Sequence, residues 1–281
     1  MAQKYIIIGA GYIGKYLFKK LAPDASLFVG HVCDTKILES ILLEGYPGHV
    51  LINCAGKTGR PNIDWCEDHK DQTFGANVGL PVMIAEMCKK LGKYWIHIGS
   101  GCIYDGYERD WDEEDAPNFY GSFYSKSKIW SQDILAGYDE PLVLRIRMPI
   151  DENLEERNYI SKIVKYAREG KAIFSLPNSM TILSDLANAI KFLGERGETG
   201  EFNVVNNGVV ESQDILELYK TYIDPSLDFK IGDKDIIEST LKAKRSNCIL
   251  SCDKLEGIGF RMPDLSKSIE KILKEYSKIN H

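Results

Sequence analysis

One short stretch near the start restricts the fold of this chain more than any other. Lys4 to Ile8 is a β-branched, apolar run, and Gly9, Gly11 and Gly14 interrupt it at Gly-x-Gly-x-x-Gly spacing. An amphipathic pattern follows from about Ile13 to Leu21, so the glycines lie at a strand-to-helix turn. In that position Gly9 and Gly11 let backbone approach a pyrophosphate at a helix N-terminus, and Gly14 lets helix and strand pack closely. The expected dinucleotide contacts are Gly9, Gly11, Tyr12, Ile13 and Gly14. Apolar runs recur at 26–29, 49–54, 94–98 and 142–146, separated by helical patterns at 36–44, 71–91 and 122–138.

Strands that are apolar on both faces and alternate with helices call for a parallel sheet covered on both sides. The expected class is therefore α/β, with a Rossmann-type doubly wound sheet. Beyond Met148 the rhythm loosens. Helical patterns occupy 158–169, 184–194, 212–222 and 265–276, an extended stretch spans 172–180, and a strand is expected at 201–205. No Gly/Ser/Pro-rich linker separates the halves. The expected organisation is a dinucleotide-binding domain over 1–148 and a smaller C-terminal substrate-binding lobe over 149–281, interleaved with the sheet across a cleft.

Composition excludes several classes. The 281 residues carry a formal charge of -6, which argues against nucleic acid or an anionic membrane as a partner. Seven scattered cysteines without a Cys-x-x-Cys pair indicate reduced thiols rather than a disulfide framework. The five histidines show no metal-ligand spacing, so no metal is expected. With no signal-peptide pattern and no run of about 18 apolar residues, a soluble, cytoplasmic protein is expected.

Chemistry concentrates around Tyr124 and Lys128, four residues apart on one face of a helical segment. A phenol has a reference pKa of about 10, and a neighbouring ammonium brings it toward a working range as a proton donor. Ser100 ends the strand at 94–98 and precedes the tyrosine by 24 residues, within reach of a reacting carbonyl. Cys102 lies at the same mouth, as either a proton-exchanging thiol or inert packing. Asn53, Cys54, Ala55 and Gly56 close the previous strand in small residues, leaving room for a cofactor ribose or forming an ordinary turn. The loop from Gly59 to Glu67 offers Arg60, Asn62 and Asp64 as hydrogen-bonding groups for a sugar, or is plain surface. Arg145 and Arg147 alternate at a strand end, and Arg147 is the candidate cofactor contact. Asn178 and Arg245 sit in polar loops, Arg245 as a possible diphosphate fork. Lys162 reads from composition alone as a solvated surface lysine.

The order of glycine turn, Asn-Cys-Ala-Gly, Ser100 and Tyr124-x-x-x-Lys128 resembles the extended short-chain dehydrogenases/reductases. The strings 59–67, 101–103, 117–119, 121–126, 147–150, 177–181, 207–210 and 245–247 are similar to one subfamily, the UDP-4-keto-6-deoxyglucose 3,5-epimerase/4-reductases. The resemblance covers nearly the whole chain. It implies a reductase triad of Ser100, Tyr124 and Lys128, and epimerisation by Cys102 and Lys162. It further implies NADPH as cofactor, UDP-4-keto-6-deoxyglucose as substrate, UDP-L-rhamnose as product, a separate UDP-glucose 4,6-dehydratase as pathway partner, and a homodimer. The glycine loop is one residue shorter than the family's usual Gly-x-x-Gly-x-x-Gly, and no basic residue follows the second strand. NADH therefore stays open beside NADPH. Two alternatives are a reductase acting on an already epimerised sugar and a non-catalytic NADP-binding regulatory subunit.

Overall fold

A computed structural model describes residues 3–46 and 48–280. In the first half, strands β1 (Tyr5–Ile8), β2 (Ala25–Phe28), β3 (Val50–Asn53), β4 (Trp95–Ser100), β5 (Gly106–Trp111) and β6 (Pro141–Ile146) alternate with helices. Those helices are α1 (Tyr12–Leu21), α2 (Thr35–Ser40), α3 (Asp64–Asp68), α4 (Lys70–Phe74), α5 (Leu80–Leu91) and α6 (Phe123–Leu135). The second half adds α7 (Tyr159–Arg168), β7 (Ala172–Ile173), α8 (Leu183–Arg196), β8 (Gly200–Asn203) and α9 (Ser212–Tyr222). It ends with β9 (Lys230–Ile231), α10 (Lys234–Ser239), β10 (Cys248–Leu250), α11 (Asp253–Gly257) and α12 (Leu265–Asn280).

The main sheet has six parallel strands in the order β2-β1-β3-β4-β6-β8. Alternation along β1 explains the two covering layers. Tyr5 and Ile7 face a core with Leu17, Leu21 and Ile190, contributed by α1 and α8. Ile6 and Ile8 face the opposite core with Leu38, Ile84 and Leu135, contributed by α2, α5 and α6. The chain direction across the sheet reverses between β1 and β3, and in open α/β sheets ligands bind outside the strand C-termini at such a point. The segment between β2 and β3 contributes a helix and, among its described residues, no further strand.

Two helical patterns are broken by single wide turns. Ile41–Gly45 and Gly75–Gly79 are π-helical, so 36–44 and 71–91 are not continuous α-helices. Such bulges insert a residue and re-aim side chains, here turning Asn77 into the buried interior. The extended stretch at 172–180 forms a strand only at Ala172–Ile173, paired with β9. Pro177 has no N–H to donate, consistent with the early end of that pairing.

The lobe has its own core of Ile160, Ile163, Val164, Ile215, Leu216, Ile269 and Leu273, from α7, α9 and α12. Its chain also returns to the sheet, supplying edge strand β8 and helix α8. A parallel β5–β10 pair, not foreseen from the sequence, joins residues from both halves beside the strand C-termini. No described helix is long and apolar enough to cross a membrane. Among the described residues, no group of three or more His, Cys, Asp or Glu side chains could hold a metal ion.

Candidate active site

The glycine turn has different causes at each position. Gly9 has φ +101°, and a Cβ there would lie 2.4 Å from the Ala55 nitrogen. A Cβ at Gly14 would lie 2.0 Å from the Gly9 carbonyl oxygen, so packing of α1 on β1 excludes any side chain. Gly11 is different. It caps α1 with φ -84°, and a Cβ there would meet no protein atom within 4 Å. Neither strain nor packing requires that glycine, whereas a phosphate approaching the free N–H groups of α1 would. The turn thus fits a dinucleotide, with the backbone of Gly11, Tyr12 and Ile13 as its holder. The Tyr12 side chain turns away, its hydroxyl buried and its pKa raised by burial and by Asp151.

Asn53, expected at the cofactor, is fully buried. Its Oδ1 accepts from the Ala55 nitrogen at 3.0 Å and its Nδ2 lies 3.1 Å from His97 Nδ1. The side chain shapes the turn, leaving the Ala55–Gly56 backbone to line the site. Asn77, which the sequence analysis missed, braces the next residues. Its Oδ1 accepts from the Lys57 nitrogen at 2.7 Å, and its Nδ2 donates to the Lys57 carbonyl at 3.0 Å and to Ser127 Oγ at 2.9 Å. A lone polar residue on an otherwise apolar helical face was the available signal.

Helix α6 presents Tyr124 and Lys128. Ser122 caps it by accepting from the Ser125 nitrogen at 3.0 Å, a contact of about 1 kcal/mol. Glu67 from α3 accepts from the Phe123 nitrogen at 2.6 Å, a carboxylate at the positive end of the helix. Tyr124 is 8% exposed, with the Ser100 hydroxyl near enough to its phenol to lower the pKa. Ser100 Oγ also accepts from the Cys102 nitrogen at 3.1 Å, joining the serine, tyrosine and cysteine positions in one turn.

The electrostatics differ from the simple expectation that Lys128 lowers the Tyr124 pKa. Burial dominates and raises it, Cys102 adds to the rise, and the Ser100 hydroxyl and the Arg147 charge oppose it. Lys128 points under the sheet edge, donating to the Ile98 carbonyl at 3.3 Å, and burial lowers its own pKa to about 8. The phenol is thus held as a protonated donor, and the ammonium is charged at neutral pH but loses its proton more readily than a free lysine.

Lys162 is the clearest correction. Far from being solvated surface, it is half-buried in the first turn of α7, within electrostatic range of Cys102. Burial first, then the positive charges of Arg245 and Arg157, lower its pKa to about 8, against the opposing Asp64 and Cys102. Asp64 and Arg245 pair across the two halves, with Arg245 Nη1 2.9 Å from Asp64 Oδ1. Asn62 accepts from the Asp64 nitrogen at 2.8 Å, and Arg60 is exposed beyond it. The structure therefore gathers Ser100, Cys102, Tyr124, Lys128, Lys162, Asp64 and Arg245.

Two expected contacts are committed elsewhere. Arg147 is fully buried, donating through Nη1 to the Gly101 carbonyl at 2.9 Å and Ser246 Oγ at 2.8 Å. Its Nη2 donates to Asn178 Oδ1 at 2.7 Å and the Ser246 carbonyl at 3.1 Å. Asn178 in turn donates to the Leu176 carbonyl and Asn247 Oδ1. Arg147 thus acts through Nη1 and Nη2 as a clamp under the Gly101–Cys102 turn, its buried Nε being left without a partner, and Asn178 has no free polar atom for substrate. Arg145 is buried likewise, on Tyr104, Gln132 and Glu201.

The fold and these residues define a dinucleotide-binding α/β protein with Ser100, Tyr124 and Lys128 beside Cys102 and Lys162. Comparison with known proteins narrows the class. The RmlD substrate binding domain model matches residues 5–278, and the chain belongs to that family. The bifunctional dTDP-4-dehydrorhamnose 3,5-epimerase/dTDP-4-dehydrorhamnose reductase of Arabidopsis thaliana is 36% identical, over 96% of this chain and 91% of its own length. A trifunctional UDP-glucose 4,6-dehydratase/UDP-4-keto-6-deoxy-D-glucose 3,5-epimerase/UDP-4-keto-L-rhamnose-reductase from the same plant is also 36% identical, but this chain spans only 41% of it. The crystal structure of the UDP-rhamnose synthase of Acanthamoeba polyphaga mimivirus superposes with a TM-score of 0.90 at 29% identity, covering 98% of this chain and 100% of that one. A Bacillus anthracis dTDP-4-dehydrorhamnose reductase in complex with NADP shares the fold, with a TM-score of 0.84 at 21% identity.

Proposed function

We propose that this protein is a bifunctional nucleotide-sugar enzyme, a 3,5-epimerase and NADPH-dependent 4-keto reductase that converts UDP-4-keto-6-deoxyglucose to UDP-L-rhamnose. The observation that carries this reading is the placement of Lys162. A lysine that looked like surface is half-buried within electrostatic range of Cys102, whose backbone nitrogen bonds Ser100, with its pKa lowered to about 8. A reductase alone needs neither Lys162 nor Cys102, and a binding module needs no proton relay.

The 4-keto group acidifies the C3 and C5 protons of the sugar. Cys102 and Lys162 remove and return those protons through enolates, while the Ser100 hydroxyl and Tyr124 donate hydrogen bonds to the developing oxyanion. Bound nicotinamide supplies a hydride for C4 of the epimerised sugar. Tyr124 then gives its proton to the C4 oxygen, a role for which burial keeps the phenol protonated. Lys128, still mostly protonated at neutral pH with its pKa lowered to about 8 in the free protein, holds the nicotinamide ribose and replaces the tyrosine proton. Arg245, Arg60 and Asn62 are proposed to hold the nucleotide and sugar, with Asp64 orienting Arg245.

The 1–148 unit would carry the cofactor and the 149–281 lobe the substrate, with β8 and α8 tying them together. We place the protein in the cytoplasm as a homodimer, supplied with ketosugar by a separate UDP-glucose 4,6-dehydratase. The test supplies UDP-4-keto-6-deoxyglucose with NADPH or NADH, follows nicotinamide absorbance, and identifies the sugar by NMR. UDP-L-rhamnose made by this protein alone supports the reading. Cofactor oxidation that begins only after a separate epimerase is added reduces the protein to a reductase.

A further inference from the structure

Arg157 was absent from the sequence reading, yet it lies between the two halves of the cleft. It stands one residue before Asn158, whose Oδ1 caps α7 by accepting from the Ile160 nitrogen at 2.9 Å. From there its guanidinium reaches back to the other half. Nη1 donates to the Gly59 carbonyl at 3.0 Å, and Nη2 donates to Thr58 Oγ1. The partners of both arms belong to the loop that carries Arg60, Asn62 and Asp64.

Lys162 lies one turn inside the same helix, its nitrogen bonded to the Asn158 carbonyl at 3.1 Å. The N-terminal turn of a helix is its positive end and disfavours a cation. The charged and titratable groups around Lys162 come from every neighbouring element. Arg157 stands at the start of its own helix, Arg245 on the segment before β10, Asp64 on α3 and Cys102 after β4. The Tyr166 ring is also close, its centroid 5.8 Å from Lys162 Nζ. The facing carboxylate of Asp64 is already engaged by Arg245 Nη1 at 2.9 Å and by the Ala243 nitrogen at 3.1 Å. Two guanidinium groups thus act on the amine, Arg245 paired with Asp64 and Arg157 facing Glu156. Guanidinium does not lose its proton at accessible pH, so the amine is the group that yields.

We propose that Arg157 is a positioning residue for Lys162. It bolts the 58–59 turn to the start of α7, one turn before Lys162, and with Arg245 it is one of two fixed cations beside that amine. The inference deepens the proposed function and rests on it for the use made of Lys162. The ionisation itself is a property of the free protein and is tested without substrate.

The free protein is labelled with acetic anhydride between pH 6 and pH 10, and acetylation of Lys162 is read by peptide mass spectrometry. The wild-type midpoint is expected near 8. Arg157→Gln should raise it by about half a unit or more, roughly a threefold loss of neutral amine at pH 7. Arg157→Lys should keep the midpoint, because the charge remains. That variant should still raise the KM for ketosugar severalfold, because an ammonium cannot span both loop contacts. Unfolding would also move the midpoint upward, so Asp64→Asn serves as the opposite probe. Removing that facing carboxylate should lower the midpoint, which loss of structure cannot do. A wild-type midpoint near 10, or an Arg157→Gln titration superimposable on wild type, overturns the inference. Deuterium entry at C5 of the ketosugar in D2O, measured without NADPH, tests the proposed function separately. If no deuterium enters while the labelling behaves as described, epimerisation is wrong and the role of Arg157 in Lys162 ionisation stands.

Discussion

Gly11 and Gly14 lie three residues apart at the start of α1, and each is expected to fail in its own way when given a methyl group. At Gly14 the new Cβ would sit 2.0 Å from the Gly9 carbonyl oxygen and 3.3 Å from Cys54 Cβ. Backbone cannot swing aside as a side chain can, so α1 must lift off β1. Overpacking of this kind costs about 3 kcal/mol or more. For a chain of this size that lowers Tm by about 6 °C or more. At Gly11 the Cβ meets nothing within 4 Å, and φ -84° suits any residue. The folding cost should stay within about 1 kcal/mol, the small difference between glycine and alanine at an N-cap. The methyl would instead occupy space assigned to the pyrophosphate. A steric penalty of about 1–3 kcal/mol there weakens NADPH binding by about 5- to 150-fold. Thermal unfolding of the free protein and a fluorescence titration with NADPH separate the two effects. If Gly11→Ala binds NADPH as wild type does, the space at Gly11 is not a phosphate cradle. If it melts as early as Gly14→Ala, the geometric distinction between the two glycines is wrong.

Four further outcomes follow from the same geometry. Cys102→Ser should abolish deuterium exchange into the ketosugar yet spare reduction of a pre-epimerised sugar; parallel loss of both would refute the division of labour. Tyr124→Phe should reduce hydride transfer by about 100-fold or more, the scale of general acid catalysis, while leaving exchange at C5 measurable. Arg147→Met should cost about 1–3 kcal/mol, because it leaves neutral buried acceptors unpaired, and should appear as a lower Tm of the free protein. Lys128→Met should change the pH dependence of folding. The lysine has a folded pKa of about 8, lowered by burial from an unfolded value of 10.5, so the unfolded chain binds more protons between those limits. Its penalty is full below pH 8 and fades as pH rises toward 10.5, with a ceiling of about 3 kcal/mol. The stability advantage of Lys128→Met over wild type, both without cofactor, should therefore shrink between pH 8 and pH 10. An advantage that does not change with pH would refute the assignment.

What the sequence determined by itself was whatever local pattern encodes. Hydrophobic alternation and Gly-x-Gly-x-x-Gly spacing depend on near neighbours, so β1, α1 and the parallel α/β class could be read directly. Tyr124 and Lys128 were readable for the same reason, since four residues on a helix place both on one face. Cys102 was raised by its position after β4, while the motif resemblance supplied its epimerisation role and that of Lys162, a lysine that from composition looked like surface. Its environment depends on Arg157, Arg245 and Asp64, which lie in three separate segments, and no local pattern encodes such a meeting. The same limit hid the β5–β10 pair, whose strands are more than a hundred residues apart. It also hid the capture of Arg147 and Asn178 by the clamp under Gly101. A polar side chain looks equally available in sequence whether it faces ligand or protein. Only the tertiary structure shows which partners have already claimed its donors and acceptors.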